Sequence, residues 1–134
     1  MRIDVITIFP RMLEAPLSEG IVARAREAGI ALVHVHDLRE HTDDRHRTVD
    51  DAPFGGGPGM VMKAEPFARA LEAIRAEAGP AREAVVLLSP RGRRFDQQTA
   101  RRFAGLERLV LLCGRYEGID ERVAATLADR KSVV

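Results

Sequence analysis

The alternation of apolar runs with amphipathic stretches most constrains what this chain can fold into. Residues 83–90 (EAVVLLSP) and 106–114 (LERLVLLCG) are apolar almost without interruption, which predicts strands that are buried on both faces. The stretch between them predicts a helix with Asp96 as N-cap and Gly105 as C-cap. Strands joined through helices lie parallel, so we expect a mostly parallel sheet with helices on both faces.

Five further segments complete the predicted fold. They are a strand at residues 3–9, helical spacing at residues 11–29, a strand at residues 30–38, a helix at residues 64–79 and a last helix from Asp120. Pro16 and Gly20 interrupt the helical spacing, which predicts two short helices there, and Gly29 is the predicted C-cap of the second. The predicted order is β-α-β-loop-α-β-α-β-α, an α/β fold, and 134 residues are typical of one domain.

Composition narrows the functional classes. The net charge is +1, so bulk charge predicts neither nucleic-acid nor membrane binding. Only Lys63 and Lys131 are lysines; arginine suits phosphate recognition, but an arginine-rich genome is the simpler explanation. The single Cys113 leaves no internal disulfide and reads as a buried, inert thiol. With no apolar run long enough for a signal peptide or a membrane span, we expect a cytoplasmic protein.

The glycine-rich segment at residues 46–63, HRTVDDAPFGGGPGMVMK, lies in a long predicted loop, and long loops in compact domains are usually functional or disordered. It is not a phosphate-binding P-loop, because Met60 stands where the second glycine is required and Ala64 follows Lys63. No G-x-G-x-x-G follows the first strand, which argues against a dinucleotide site. Composition leaves two readings open: a mobile surface turn, or backbone that approaches a ligand or partner chain where any Cβ would clash.

Metal binding is not predicted. The four histidines, His34, His36, His41 and His46, have no accompanying cysteine or carboxylate cluster with zinc-ligand spacing. We interpret them as ordinary polar positions, with His34 and His36 on one face of a strand. Ligands of parallel sheets instead collect beyond the carboxyl ends of the strands. Two such ends stand out, at residues 88–90 and 113–118, and the glycine-rich loop is placed to fold over the same edge.

Four motifs resemble those of the bacterial tRNA (guanine-N1) methyltransferase family. VITIFP, HRTVDDAPFGGGPGMVMK, LLSPRGRRFDQ and LLCGRYEGIDERV occur in the family's order and spacing, over residues 1 to about 128. The resemblance implies an S-adenosylmethionine-dependent enzyme of the SPOUT class, whose α/β domain carries a trefoil knot. It also implies methylation of N1 of guanine at tRNA position 37, next to the anticodon, by a homodimer whose active sites use both subunits.

The resemblance assigns residues to the cofactor and to the substrate. The expected cofactor-binding residues are Leu88, Ser89 and Pro90 in the first knot loop, Gly114, Tyr116, Glu117 and Gly118 in the second, and Pro58 and Gly59 in a segment that closes near the methyl donor. The expected tRNA contacts are Arg47, Asp50 and Asp51. Ala52 and Phe54 stand where the family often has Arg and Tyr, so neither position is given a polar role.

The last six residues, DRKSVV at 129–134, depart from the family pattern. We expect a partial SPOUT domain at residues 1–128 and a non-native tail at 129–134, because the codons GAT CGG AAG AGC GTC GTG would encode the tail and match the start of a common sequencing adapter. The third cofactor loop and the general base would then lie beyond this chain. We therefore expect no catalytic residue here, an incomplete knot, a sheet edge without its next strand, and an inactive fragment.

Two alternatives to this methyltransferase remain open. One is a domain that binds an adenosine-containing ligand or RNA without chemistry. The other is a knotted methyltransferase that acts on ribosomal RNA, against which the GRYEGIDERV motif argues.

Overall fold

The computed structural model describes residues 1–133, which contain seven strands. In chain order these are β1 Arg2–Thr7, β2 Leu32–Asp37, β3 Asp50–Asp51, β4 Val61–Met62, β5 Glu83–Arg94, β6 Arg108–Cys113 and β7 Arg130–Val133. Five of them form a sheet in the order β2-β1-β6-β5-β7, with every neighbouring pair parallel. The predicted parallel α/β fold is therefore confirmed. The short strands β3 and β4 pair antiparallel in a separate hairpin.

The α-helices are α1 Glu14–Ser18, α2 Gly20–Glu27, α3 Ala64–Ala78 and α4 Gln97–Ala104. Two 3-10 turns, Pro10–Leu13 and Leu38–His41, and a π-helical segment, Val123–Leu127, complete the helical structure. Within residues 1–133, none of these helices is both long and apolar enough to cross a membrane.

Several helices begin or end at the glycine and capping residues that the sequence predicted. The first helical region is split at Gly20, whose φ is +64°, although Pro16 lies within α1 rather than at the break. Gly29 closes α2 with a φ of +69°, and Ile30 N–H donates to Ala25 O at 2.9 Å, as in a Schellman motif. Asp96 caps α4, since its Oδ1 accepts from Thr99 N–H at 2.7 Å.

Both faces of the sheet are buried, which explains the uninterrupted apolar strands. On one face Val85 and Leu87 of β5 belong to a cluster that includes α3. The predicted inner face of α3 is confirmed, because Phe67, Leu71 and Ile74 are buried. On the other face Ala84 and Val86 pack with Phe103 of α4 and Leu109. Each fully buried side chain of this size contributes roughly 1.5–3 kcal/mol through loss of water contact.

The chain after residue 119 differs from the expectation in two ways. The expected helix from Asp120 is shorter, since its helical segment ends at Leu127 and Ala128 is extended. The expectation that no strand follows it is wrong, because β7 pairs with β5 and forms the edge of the sheet. Asp129 begins this pairing: its N–H donates to Val85 O at 2.8 Å, and its Oδ2 accepts from Val85 N–H at 2.8 Å.

Strand β5 loops around β7 near its carboxyl end. Ser132 is paired with Leu88 before the loop and with Arg93 after it. Gly92 lies against the Ser132 backbone, where an added Cβ would approach the amide nitrogen to 2.5 Å. Residues 89–92 therefore form a bulge that curves over the strand, at the edge where ligands of parallel sheets collect. The completeness of the knot stays a prediction.

Candidate functional site

A cavity of about 370 Å³ opens at the carboxyl edge of the sheet. Seven of the nine residues expected to bind a cofactor line it: Leu88, Ser89, Pro90, Gly114, Tyr116, Glu117 and Gly118. They come from two separate segments, the end of β5 and the turn after β6, which the parallel sheet brings side by side. The volume is at the lower end of the roughly 300–1,000 Å³ that is usual for small-molecule sites.

Strand β4 holds the turn after β6 in place. Glu117 N–H donates to Met60 O at 3.1 Å, and Met62 N–H donates to Gly118 O at 3.0 Å. Asp120 N–H in turn donates to Met62 O at 2.9 Å. This run of main-chain bonds joins the end of the glycine-rich segment to one wall of the cavity, so the two motifs form a single structural unit.

The turn needs unusual backbone conformations. Tyr116 has a φ of +61° and Gly118 a φ of +149°, a region that costs a residue with a Cβ about 1–2 kcal/mol. Gly114 is favoured for a different reason, because an added Cβ would lie 2.8 Å from Ile119 Cδ1 and the Ile119 side chain would have to shift. Tyr116 remains 47% exposed, which leaves its ring at the mouth of the cavity. Such strain is commonly found at functional sites.

Pro58 and Gly59 do not line this cavity. Gly59 instead packs on the wall from outside: an added Cβ would lie 2.3 Å from Glu117 Cγ, and its φ is +89°. At Gly55, Gly56 and Gly57 an added Cβ would meet no atom within 4 Å, while their φ values are all positive. Within the described residues, glycine at these three positions thus allows a left-handed backbone. Of the four glycines, only Gly59 also approaches another residue closely.

A larger cleft of about 1180 Å³ adjoins the cavity. Parts of the segment 42–55, strand β4, the start of α3 and residues 119–122 surround it. Four residues line both spaces: Val61, Arg91, Ile119 and Glu121. Of the three expected tRNA contacts, only Asp51 lines the cleft. Asp50 pairs with Met62 in the hairpin, and Arg47 lies outside the lining with its carbonyl accepting from Arg39 Nη1 at 3.5 Å.

Carboxylates dominate the charged lining of this cleft, since it carries Asp43, Asp44, Asp51, Glu65, Asp120 and Glu121. Hydrogen bonding from the Arg122 side chain lowers the pKa of Asp120. Hydrogen bonds from Thr48 lower the pKa of Asp44. Both carboxylates are therefore ionised at neutral pH, and they face the cleft together with the cationic Lys63, Arg69, Arg91 and Arg122.

Seven residues of the small cavity were not expected from the sequence. Six of them are Val61, Leu87, Arg91, Arg115, Ile119 and Glu121. Arg115, Ile119 and Glu121 stand inside the motif GRYEGIDERV, so the motif itself was the available signal. Lys131 also lines the cavity and pairs with Glu121; it could not be found, because it lies in the six residues interpreted as a tail.

No metal centre is formed by the histidines as far as the structure extends, to residue 133, because no group of three or more potential ligands converges. His34 and His36 share a strand face, as predicted, with ring centroids 6.5 Å apart. His36 Nε2 lies 2.8 Å from Oδ1 of the fully buried Asp4. His36 thus serves as a polar partner inside the sheet, away from the cavity.

The fold and the cavity at its carboxyl edge define an α/β domain of the SPOUT methyltransferase class. The sequence profile described as "tRNA (Guanine-1)-methyltransferase TrmD" matches residues 1–134. The chain therefore belongs to the tRNA (guanine-N1) methyltransferase family, whose members are enzymes.

Relatives and a solved structure agree with this assignment. The tRNA (guanine-N(1)-)-methyltransferase of Chloroflexus aggregans is 56% identical over 98% of this chain and 51% of its own length. The Geobacter sulfurreducens protein of the same name is 54% identical over 96% of this chain and 52% of its length. The crystal structure of tRNA (m1G37) methyltransferase from Aquifex aeolicus superposes with a TM-score of 0.88 at 37% identity, covering 98% of this chain and 58% of that one. The chain spans about half the length of the curated relatives it matches.

Proposed function

We propose that this chain is the cofactor-binding part of an enzyme that methylates N1 of guanine at tRNA position 37 with S-adenosylmethionine. One observation carries the proposal: seven residues expected to bind the cofactor, from two distant segments, line a single cavity. The names of the relatives and of the matching structure support the substrate class.

The residues present fit S-adenosylmethionine. Leu87, Leu88 and Ile119 offer apolar surface for an adenine ring, and Gly114 and Gly118 line the same cavity without side chains of their own. The carboxylate of Glu117 in the same lining suits the positive charge of a sulfonium or an amino group, while Glu121 is already paired with Lys131. When bound, this cofactor supplies an electrophilic methyl group.

The chain contributes positioning to the reaction. Tyr116 at the mouth covers the bound ligand, and the contact of Gly59 with Glu117 fixes the cavity wall. The adjoining cleft gives an incoming base access to the cavity through their shared wall, and orienting two reactants in this way accounts for much of a methyl-transfer rate. A base must also accept the N1 proton of guanine, and we assign no residue of this chain to that step.

The finer aspects of the proposal rest on the resemblance. They are a homodimer whose active sites use both subunits, action on tRNA in the cytoplasm, and contacts to tRNA from Arg47, Asp50 and Asp51. Asp51 is the best placed of the three, because it lines the cleft.

We also propose that residues 1–128 form the family domain and that residues 129–134 are a non-native tail. Pairing of β7 with β5 is compatible with this, because parallel pairing uses main-chain groups that every such sequence shares. Sequencing of the source nucleotides tests this proposal. Synonymous codons that differ from the adapter sequence would contradict a non-native origin of residues 129–134.

Calorimetry with S-adenosylmethionine tests the site in the 134-residue chain. We expect saturable binding that is lost in Gly114→Val, whose side chain would collide with Ile119, and kept in Gly105→Ala, where a Cβ makes only ordinary contact. Absence of saturable binding to the unmodified chain would contradict the proposal.

The reaction is tested by fusing residues 1–128 to the second half of the Geobacter sulfurreducens relative. Methylation of guanine N1 in a tRNA transcript, and none in a transcript with adenine at position 37, is the expected result. If the fusion binds the cofactor but methylates nothing, the alternative of a non-catalytic binding domain is favoured. If it methylates ribosomal RNA, the alternative of a knotted ribosomal-RNA methyltransferase is favoured.

A further inference from the structure

A third cavity, of about 410 Å³, lies where the bulge of β5 meets α4 and β7. Five of its lining side chains are basic: Arg91, Arg93, Arg102, Arg130 and Lys131. The one carboxylate in the lining belongs to Asp129, and its Oδ2 already accepts a hydrogen bond from Val85 N–H. We refer to this space as the basic cavity, and it concentrates positive charge in a chain whose net charge is only +1.

Arg91, Arg93 and Arg102 form no ion pair with a carboxylate within residues 1–133, whereas Lys131 of the same lining is paired with Glu121. By contrast, the buried Arg108 is paired with Glu83 at 2.7 Å. Arg93 and Arg102 are exposed to solvent. The Nε of Arg130 is buried and has no hydrogen-bond partner among the described residues. Arg130 also donates from Nη2 to Arg94 O at 3.1 Å. The guanidinium groups of Arg91, Arg93 and Arg102 are therefore the ones available to bind an anion from outside the chain.

The basic cavity shares a wall with the small cavity at the sheet edge, because Arg91 and Lys131 line both. Under the proposed function, a nucleotide of the substrate enters beside this wall, and its neighbouring phosphates must lie close by. An arginine fork matches two phosphate oxygens better than any other side chain does. Carboxylates of an acidic protein partner would satisfy the charge, but no observation places such a partner here.

We propose that Arg91, Arg93 and Arg102 bind backbone phosphates of the substrate RNA and so orient the strand toward the cofactor cavity. This inference rests on the proposed function, and it adds phosphate contacts from the β5 bulge and α4 to the tRNA contacts proposed above. Phosphate contacts position the nucleic acid without reading its sequence, so the basic cavity sets affinity and register but not the choice of base.

The test is the salt dependence of binding between the 134-residue chain and a fluorescently labelled tRNA transcript with guanine at position 37. In the double variant Arg93→Gln/Arg102→Gln, the slope of log K against log salt should become less negative by about 1.6, since each lost phosphate contact removes roughly 0.7–0.9. The affinity lost between 50 and 200 mM salt should then be about tenfold smaller than for the unmodified chain.

The matched control is Arg11→Gln/Arg24→Gln, which removes the same charge. Both arginines are exposed and lie in the helical region that contacts β2, at the opposite edge of the sheet from β7. An equal change of slope in the control would overturn the proposal, because a general charge effect would then explain the result. Preference for a polyglutamate peptide over the transcript would also overturn the proposal and would indicate an acidic protein partner. Failure of the unmodified chain to bind the transcript would overturn the proposal as well.

S-Adenosylmethionine affinity separates this inference from the proposed function. Arg93 and Arg102 do not line the cofactor cavity, so calorimetry of their double variant should give an unchanged Kd. If the variant binds the cofactor normally and its salt slope is unchanged, the RNA-binding role of the basic cavity is refuted while the proposed function is not. The contribution of Arg130 and Lys131 is measured in a separate Arg130→Gln/Lys131→Gln variant, since both lie in the segment proposed to be non-native.

Discussion

Gly92 and Ser132 touch backbone to backbone at the centre of the β5 bulge. A Cβ on Gly92 would lie 2.5 Å from Ser132 N and 2.6 Å from both Ser132 Cα and C. Ser132 is itself 1% exposed, so the backbone that Gly92 meets is enclosed at this point. The bulge can therefore pass around β7 only where the side chain is hydrogen.

We expect Gly92→Ala to destabilise the chain by about 3 kcal/mol, because a buried backbone cannot yield as a side chain does. Urea unfolding measures the change. Gly105→Ala is the control, since its Cβ would lie 3.5 Å from Arg102 O, an ordinary contact. Equal midpoints for the two variants would show that the bulge is not packed as described.

Removal of Arg108 should destabilise the fold strongly. Its side chain is 3% exposed, its Nε donates to Glu83 at 2.7 Å, and its Nη1 donates to Gly79 O at 3.0 Å. Breaking a buried ion pair typically costs about 3–5 kcal/mol, so we expect roughly 3 kcal/mol for Arg108→Met in urea unfolding. Arg75→Met removes the 48% exposed partner of the same Glu83 and should cost no more than about 1 kcal/mol. A reversed order would contradict this assignment.

Asp4 should make the fold sensitive to acid. Burial alone would raise the pKa of Asp4, but hydrogen bonds from His36 and Arg2 outweigh it and hold that pKa below its ordinary value of 3.8. A lowered folded pKa means that the stabilisation is present above pH 3.8 and is lost as the pH falls through the folded value.

The measurement is the urea midpoint between pH 7 and pH 3. Asp4→Asn should be less stable than the unmodified chain at pH 7 and should lose less stability as the pH falls toward 3. Asp43→Asn, which alters a 78% exposed carboxylate, should follow the unmodified chain. Parallel curves for Asp4→Asn and the unmodified chain would exclude this linkage.

The single thiol should react slowly. Burial raises the pKa of Cys113, and the thiolate is the reactive form. We expect alkylation by iodoacetamide at pH 8 to be markedly slower in the folded chain than in urea. Rates that differ by less than twofold would show that the end of β6 is open to solvent.

The parallel α/β fold followed from sequence because each of its signals is local. Asp96 and Gly105 mark the ends of α4, and the apolar run of β5 records burial on both faces. The continuation of β5 to Arg94 was not predictable, because Pro90 has no N–H to donate and reads as the end of a strand. Pairing resumes at Arg93 only because Ser132, nearly forty residues later, lies alongside.

The site was predictable to a similar degree. The motif residues at both strand ends do line one cavity, since parallel strands place their carboxyl ends together. Arg47 and Asp50 were not brought to the adjoining cleft, because the hairpin of β3 and β4 determines where their segment runs. Nor did the sequence reveal that Asp4 is the partner of His36, a contact that depends on the register of β1 and β2.

Gly57 and Gly59 separate backbone strain from contact with the cofactor cavity. Both have positive φ values, +120° and +89°, so alanine is strained at either position. Only at Gly59 would the new Cβ strike another residue, at 2.3 Å from Glu117 Cγ, and Glu117 lines the cavity. We therefore expect Gly59→Ala to weaken S-adenosylmethionine binding about tenfold more than Gly57→Ala. Glu117 is exposed, so displacing its side chain is less costly than repacking a core, and a cost of about 1.4 kcal/mol corresponds to tenfold in Kd. Calorimetry on both variants gives the comparison, and urea unfolding confirms that each is folded. Equal losses of affinity would mean that the glycine segment acts through its backbone conformation alone, and the contact between Gly59 and Glu117 would then have no part in holding the cofactor.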